Sequence, residues 1–146
     1  MNANTTELER NKAVVIRFNK EVLEKGDLGV FHSIIDENFV NHAALPGTDA
    51  GPDSLLDTYN NILRPAIPDL KVEIYDQIAW GDKVSTRKKV RGTHSGELLG
   101  IPATGRAVAI DVVDIVRLRD GRYVEHWGIN DFTSVLTDLR TKQVRK

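Results

Sequence analysis

The chain has 146 residues, which suits one domain over residues 1–146 with an ordered core at about 5–140. Its 20 Lys and Arg nearly balance 21 Asp and Glu, so neither a nucleic acid nor a membrane surface is an expected partner. The absence of cysteine excludes disulfides, thiolate catalysis and cysteine metal sites. No apolar run approaches the ~20 residues that cross a bilayer. The polar start MNANTTELER differs from a signal peptide, so a cytoplasmic protein is expected.

Helical spacing of apolar residues predicts three helices in the first half of the chain, at about residues 5–25, 27–35 and 52–64. A capping-box spacing indicates the start of the first helix, and a proline opens the third. Between the second and third helices, residues 39–42 (FVNH) predict a brief extended segment.

From residue 70 onward the apolar period changes from that of a helix to that of a strand. Two strands are predicted at about 70–80 and 83–94, with Trp80 on the apolar face of the first. Two further strands flank Asp120-Gly121, a residue pair that favours a tight hairpin turn. Helices followed by a meander of four long strands predict an α+β fold, in which a curved antiparallel sheet packs its concave face on the helices.

Asp114 and His126 are the first candidates for acid/base chemistry. Asp114 alternates with Val112 and Val116 on one predicted strand, and His126 lies on the neighbouring strand. A carboxylate among aliphatic side chains is costly to ionise, so we expect a pKa raised toward the working pH unless a partner holds the group charged. The alternative interpretation is packing, because a lone histidine is more often hydrogen-bonded in a core than catalytic.

Further residues are predicted to line a ligand cavity beside this pair. Turn chemistry is the alternative interpretation for Asn41 and His42, and core packing is the alternative for Trp80. The four histidines lack the spacing of a metal site, and no phosphate-binding loop occurs, so neither metal nor cofactor is expected. The predicted lining residues are Asn41, His42, Val112, Val116, Gly128, Asn130 and Trp80.

The segment GTHSGELLGIPATGR at 92–106, followed by DVVDIVRLRDGRYVEHW at 111–127, resembles the SnoaL-like polyketide cyclases, also called predicted ester cyclases. The likeness extends over most of the chain. That family belongs to the nuclear transport factor 2-like superfamily, so the resemblance implies a cone-shaped α+β barrel with an apolar ligand between sheet and helices. It also implies a homodimer, which agrees with a predicted strand at 107–119 that is apolar on both faces.

The resemblance further implies an intramolecular aldol condensation of a hydrophobic polyketide ester, without metal or cofactor. The acid/base aspartate of the cyclases falls at the position of Gly128, and a pocket histidine of theirs falls at Asp114. Because glycine carries no proton, Asp114 is predicted to replace the missing acid/base, with His126 assisting. Two other functions remain open: a non-catalytic small-molecule-binding domain, and a hydrolase- or oxygenase-like variant related to the epoxide hydrolases of the superfamily.

Overall fold

The computed structural model describes residues 3–44 and 47–144. Its helices form three groups: one before the first strand, one between the first and second strands, and one after the last strand. In each early group an α-helical segment runs directly into a π-helical one, a rare geometry that recurs at functional sites. In this part of the chain no helix has the length and apolarity that a membrane span requires. The helices are α1 (Ala3–Arg17), π1 (Phe18–Glu24), α2 (Leu28–Ile34), α3 (Asp53–Leu56), π2 (Asp57–Leu63), α4 (Arg64–Ala66) and α5 (Phe132–Val144).

Five strands form one sheet in the order β1-β5-β4-β3-β2, and the last four pair antiparallel, as predicted. The predicted extended segment begins earlier than expected and joins the sheet as a fifth strand, parallel to β5. The strands are β1 (Ile35–Asn41), β2 (Lys71–Trp80), β3 (Lys83–Thr93), β4 (Ala107–Arg119) and β5 (Arg122–Asn130).

The helices pack on the inner face of the sheet through two hydrophobic clusters. The first cluster centres on Phe18 of π1, whose ring stacks on Tyr123 of β5 at 4.6 Å between ring centroids. Val116 is 2% exposed and belongs to this cluster. The second cluster joins π2, the inner faces of β3 and β4, and α5, with Leu63, Ile110 and Leu139 among its members. The space left between the two clusters is where a ligand cavity forms.

A β-bulge between Ile74 and Asp76 reverses the alternation of side chains along β2. Val72, before the bulge, is 1% exposed and packs in the core, whereas Trp80, after it, is 82% exposed on the outer face. The prediction that Trp80 lines the cavity is therefore wrong. One extra residue in a strand exchanges the faces of all residues beyond it.

At Val72, the free edge of β2 is closed by two side chains from π1. Glu24 Oε2 accepts a hydrogen bond from the backbone N–H of Val72 at 2.6 Å, and Lys20 Nζ donates to the Val72 carbonyl oxygen at 2.5 Å. Lys20 and Glu24 also form an ion pair with each other at 2.9 Å. Both outward-facing backbone groups of Val72 are thereby satisfied at an edge that would otherwise accept another strand.

Gly96 holds the loop between β3 and β4 against the end of α4. The backbone N–H groups of Ser95 and Gly96 both donate to the carbonyl oxygen of Ala66, at 3.0 and 3.1 Å. This contact leaves no room for a side chain, because a Cβ atom at position 96 would lie 2.2 Å from the carbonyl oxygen of Pro65.

We therefore expect Gly96→Ala to lower the free energy of unfolding by about 1–3 kcal/mol, since the overlap is with backbone that has little freedom to move. Gly29→Ala is the matched control. A Cβ there meets only Asp27 Oδ1, at 3.4 Å, and alanine favours the surrounding helix α2. Urea denaturation of the two variants measures the difference, and equal midpoints would contradict the close approach at Gly96.

Candidate active site

A cavity of about 390 Å³ lies between the inner face of the sheet and the helices. Its wall is mainly apolar, with polar side chains concentrated on β3, β4 and β5. The apolar part includes Leu23, Leu55, Ile62, Leu63, Val90, Leu99, Ile110, Val112, Phe132 and Leu136. A largely apolar cavity with a few grouped polar side chains is the usual form of a small-molecule site.

A chain of charged hydrogen bonds crosses the sheet at this wall. Asp114 accepts from Lys88 Nζ at 2.6 Å through Oδ2 and faces His126 Nε2 at 2.9 Å through Oδ1. Lys88 Nζ also donates to Asn19 Oδ1 of π1 at 2.6 Å, and His126 Nδ1 lies 2.8 Å from Asn41 Oδ1 of β1. The register brings these groups together, because three adjacent strands each direct one charged side chain to the same face.

Asn41 fixes the protonation of the His126 ring. Its Oδ1 accepts from the backbone N–H of Ala43 at 3.0 Å, and its Nδ2 donates to Ser54 Oγ at 3.1 Å, so the amide oxygen is the atom that faces the ring. His126 Nδ1 must therefore donate. On its other side Nε2 faces the Asp114 carboxylate, another acceptor. Both ring nitrogens carry a proton in this arrangement, which makes the ring an imidazolium.

The pKa of Asp114 moves in the direction opposite to the prediction. Burial raises it, as expected from the aliphatic neighbours, but the Lys88 ammonium and the hydrogen bonds from His126 and Lys88 outweigh burial. Together they hold the pKa of the Asp114 carboxyl well below its ordinary range. The site therefore contains a carboxylate between two cations rather than a neutral acid.

Gly128 makes room for this pair. It is the β5 residue directly opposite Asp114, and a Cβ at position 128 would lie 2.8 Å from Asp114 Oδ1 and 3.3 Å from His126 Nε2. The carboxylate of Asp114 thus fills the space where a side chain at 128 would begin. Gly128 lies beneath the charged pair and does not itself line the cavity, so the prediction that Gly128 lines it is wrong.

Of the candidate site residues, Asp114, His126, Asn41, Val112 and Asn130 lie at the cavity wall. Three other predicted lining residues lie elsewhere. They are Trp80, on the outer face; Val116, in the first core cluster; and His42, whose side chain is 40% exposed, pairs with Glu125 at 2.9 Å and stacks on Trp127 at 4.9 Å.

His42 faces outward because β1 continues through Asn41 and successive side chains of a strand point to opposite faces. Asn41 therefore takes the inner face, and its neighbour takes the outer one.

The sequence-based prediction missed two polar residues of the site. Lys88 alternates with Thr86 and Val90 on the buried face of β3, so the alternation itself was the signal for an inward cation. Asn19 lies four residues after Val15 and four before Leu23, on the apolar stripe of the first helix. In both cases a polar residue at a core position indicated a buried hydrogen-bonding network.

Leu99 adds an apolar side chain to the cavity from an unusual backbone position. It is the first central residue of a tight turn closed by backbone hydrogen bonds between Leu98 and Ile101, with φ of 46° at Leu99 and 87° at Gly100. Positive φ at this place in a turn favours Asn, Asp or Gly. The strained leucine, half-exposed and at the cavity, supports a contact role for its side chain rather than a turn-forming one.

Within residues 3–44 and 47–144, no three His, Asp or Glu side chains are grouped closely enough to hold a metal ion. The titratable side chains among the described lining residues are those of Lys88, Asp114, His126 and Tyr59. Burial and the charge of Asp114 raise the pKa of the Tyr59 hydroxyl, so that group is neutral at physiological pH.

Comparison with known proteins identifies the relatives of this chain. The family model of SnoaL-like polyketide cyclases matches residues 13–139. Among solved structures, IdmH from Streptomyces antibioticus, described as a candidate polyketide cyclase, is 30% identical with a TM-score of 0.77, covering 89% of this chain and 98% of that one. AclR from Streptomyces galilaeus, described as a candidate hydroxylase, is 25% identical with a TM-score of 0.80, covering 92% and 83%. No protein in a search of curated sequences matched.

We expect Asp114→Asn to lower the free energy of unfolding by about 3–5 kcal/mol, because it leaves Lys88 and His126 buried without their carboxylate. Asp114→Asn combined with Lys88→Met removes one of those cations, so we expect the double variant to recover part of that loss. Urea denaturation at neutral pH of the natural chain, the two single variants and the double variant measures their free energies of unfolding. Strictly additive effects of the two substitutions would contradict the coupling between Lys88 and Asp114. Asp111→Asn, on the outer face of the same strand, is the control and should change stability little.

The stabilisation that the Asp114 carboxylate gives the folded state should depend on pH. Since the pKa of Asp114 is lowered in the folded state, its stabilisation is complete above the unfolded value of ~3.9 and is lost as the pH falls toward the folded value. The stability difference between the natural chain and Asp114→Asn should therefore shrink below about pH 4. A constant difference across that window would contradict the assigned ion pair.

Proposed function

Because the chain belongs to the SnoaL-like polyketide cyclase family, we propose that it closes a ring in a hydrophobic, polyketide-like carbonyl compound by acid/base chemistry without a cofactor. The observation that carries the proposal is the position of the Asp114 carboxylate, which fills the space above Gly128. The family's acid/base aspartate stands at position 128. Here a carboxylate reaches the same space from the neighbouring strand.

Asp114 acts as the base in this proposal. It takes a proton from the carbon beside a carbonyl group, and the electron pair of that C–H bond becomes an enolate. The enolate carbon attacks a second carbonyl of the same molecule, forming a carbon–carbon bond and an alkoxide. Asp114 then returns the proton to the alkoxide oxygen, so ring closure is redox-neutral and regenerates the carboxylate.

Lys88 and the His126 imidazolium affect this reaction in two opposing ways. They make Asp114 a weaker base, because they stabilise its charged form. They also place two positive charges beside the region where the enolate oxygen gains negative charge, which lowers the energy of that intermediate. The loss of basicity is offset when the charge moves from the carboxylate to a substrate oxygen within reach of the same cations.

The alternative functions differ in what supports them. A mutually satisfied charged cluster would also suit a non-catalytic binding domain, since every member already has a partner. A two-aspartate hydrolase mechanism has less support. Asp111 pairs with Lys89 on the outer face, and within the described residues the cavity wall contains no second carboxylate.

Deuterium exchange into a simple hydrophobic ketone tests the proton-transfer step without knowledge of the natural substrate. We expect the protein to accelerate exchange at the carbons beside the carbonyl of 2-tetralone in D₂O, followed by nuclear magnetic resonance. Asp114→Asn should lower the protein-dependent rate by ~10²–10⁴, at a temperature where circular dichroism shows it folded. Asp111→Asn is the matched control and should keep the rate. Equal rates for Asp114→Asn and the natural chain would remove Asp114 from the mechanism.

The outer face of the sheet supports a homodimer as part of the proposed function. Five apolar side chains on β2, β4 and β5 are exposed on this face, and together we call them the outer apolar face: Ile78, Trp80, Val113, Ile115 and Ile129, exposed by 70%, 82%, 42%, 38% and 79%. β3 lies between these strands and places Ser85 and Arg87 among the apolar side chains, and Arg87 pairs with Asp76 at 3.0 Å. Exposed apolar side chains whose charged neighbours are compensated within the same face suit a second copy of that face.

We expect light scattering of the natural chain to give twice the chain mass of 16.3 kDa. Ile129→Lys, in the outer apolar face, should shift the particle to the single-chain mass, because it would bury a charge against the partner. Leu28→Lys replaces an apolar residue that is 50% exposed on α2, away from the sheet, and should leave the mass unchanged. A single-chain mass for the natural protein at micromolar concentration would contradict the dimer.

A further inference from the structure

We infer that the cavity selects ligands with one negatively charged oxygen group on an otherwise apolar body. The inference rests on the proposed function for the position of the site, and it adds the charge of the ligand. Its basis is the sum of charges on the cavity wall, together with an unused hydrogen-bond donor beside them.

The wall has one positive charge in excess. Lys88 is an ammonium, and His126 is an imidazolium because both of its ring nitrogens face acceptors. Asp114 supplies the single compensating carboxylate. Tyr59 is the only other titratable side chain among the described lining residues, and its hydroxyl is neutral. The three charged groups therefore leave a net charge of one positive unit, because two cations face one anion.

This excess charge is largely removed from water. The side chains of Lys88, His126 and Asp114 are only 6%, 13% and 15% exposed. An uncompensated charge at such a depth is costly, and its cost falls when an anion enters beside it. A ligand with a single anionic oxygen would neutralise the wall, whereas a neutral ligand would displace water and leave the charge uncompensated.

Lys88 also has the donor that such a ligand requires. An ammonium group carries three N–H bonds, and with the described residues Lys88 uses one on Asp114 Oδ2 and one on Asn19 Oδ1. Since Lys88 borders the cavity, its third N–H is free to donate to a ligand oxygen. Both N–H groups of His126 are already committed, so Lys88 is the residue that would recognise the charge.

Two chemical classes share this anionic oxygen: a carboxylate, and the enolate of an acidic dicarbonyl compound. The enolate also carries the negative charge that develops on the substrate during the proposed ring closure. Matched pairs of probes separate the classes. The carboxylate pair is 2-naphthoate with 2-naphthamide, and the enolate pair is 2-hydroxy-1,4-naphthoquinone, ionised at neutral pH, with its neutral 2-methoxy ether. The chain has no cysteine that would react with the quinones.

Isothermal titration calorimetry at neutral pH measures each pair. We expect at least one anion to bind the natural chain about tenfold or more tightly than its neutral partner. Lys88→Met should abolish that preference while it still binds the neutral probe. Lys89→Met, which removes the adjacent cation on the outer face, should keep the preference. The comparison within the natural chain needs no variant, so the inference can be tested even if Lys88→Met does not fold.

The outcomes separate this inference from the proposed function. Equal affinity within both pairs, tighter binding of both neutral probes, or no binding of either anion up to millimolar concentration would overturn the inference. Preference for an anion without catalysed deuterium exchange would support the inference and count against the proposed function. Preference confined to the carboxylate pair would identify carboxylate-bearing ligands, and preference confined to the other pair would identify enolates.

Discussion

The ion pair between Lys88 and Asp114, buried at 2.6 Å, is the interaction on which the rest of the site depends. Without Lys88, burial among aliphatic side chains would raise the pKa of the Asp114 carboxyl against one opposing cation fewer. Three further features accommodate the pair. Asn19 accepts a hydrogen bond from the Lys88 ammonium, Asn41 orients the His126 ring, and Gly128 leaves room above β5 for the Asp114 carboxylate.

Position 128 illustrates how a side chain on one strand can occupy the space above the neighbouring strand. Residues opposite each other on antiparallel strands have Cβ atoms only about 5 Å apart, so side chains from either strand reach the same volume. Asp114 and Gly128 are such a pair. The Asp114 carboxylate therefore occupies the volume in which a side chain at position 128 would begin.

Local pattern was sufficient for the order of helices and strands and for the meeting of Asp114, His126 and Asn41, because alternation along neighbouring strands determines which side chains share a face. It failed where the decisive fact was not local. The bulge that turned Trp80 outward leaves no mark in the alternation of apolar residues, since Ile78 and Trp80 continue the period. The sign of the Asp114 pKa shift depended on a cation from another strand. Lys88 was missed for a different reason. Its place on an apolar face was visible in the sequence, and the prediction did not use that signal.

The hydrogen bonds that Lys20 and Glu24 make to the backbone of Val72 affect how this protein behaves at high concentration. A sheet grows into a fibre when a strand of another molecule bonds to the open backbone of an edge strand. Here π1 already occupies that backbone at Val72, and the occupants are charged, so an incoming strand would have to displace an ion pair before it could bond. At Val72, the edge beside the exposed apolar sheet face is thus closed to a strand of another molecule.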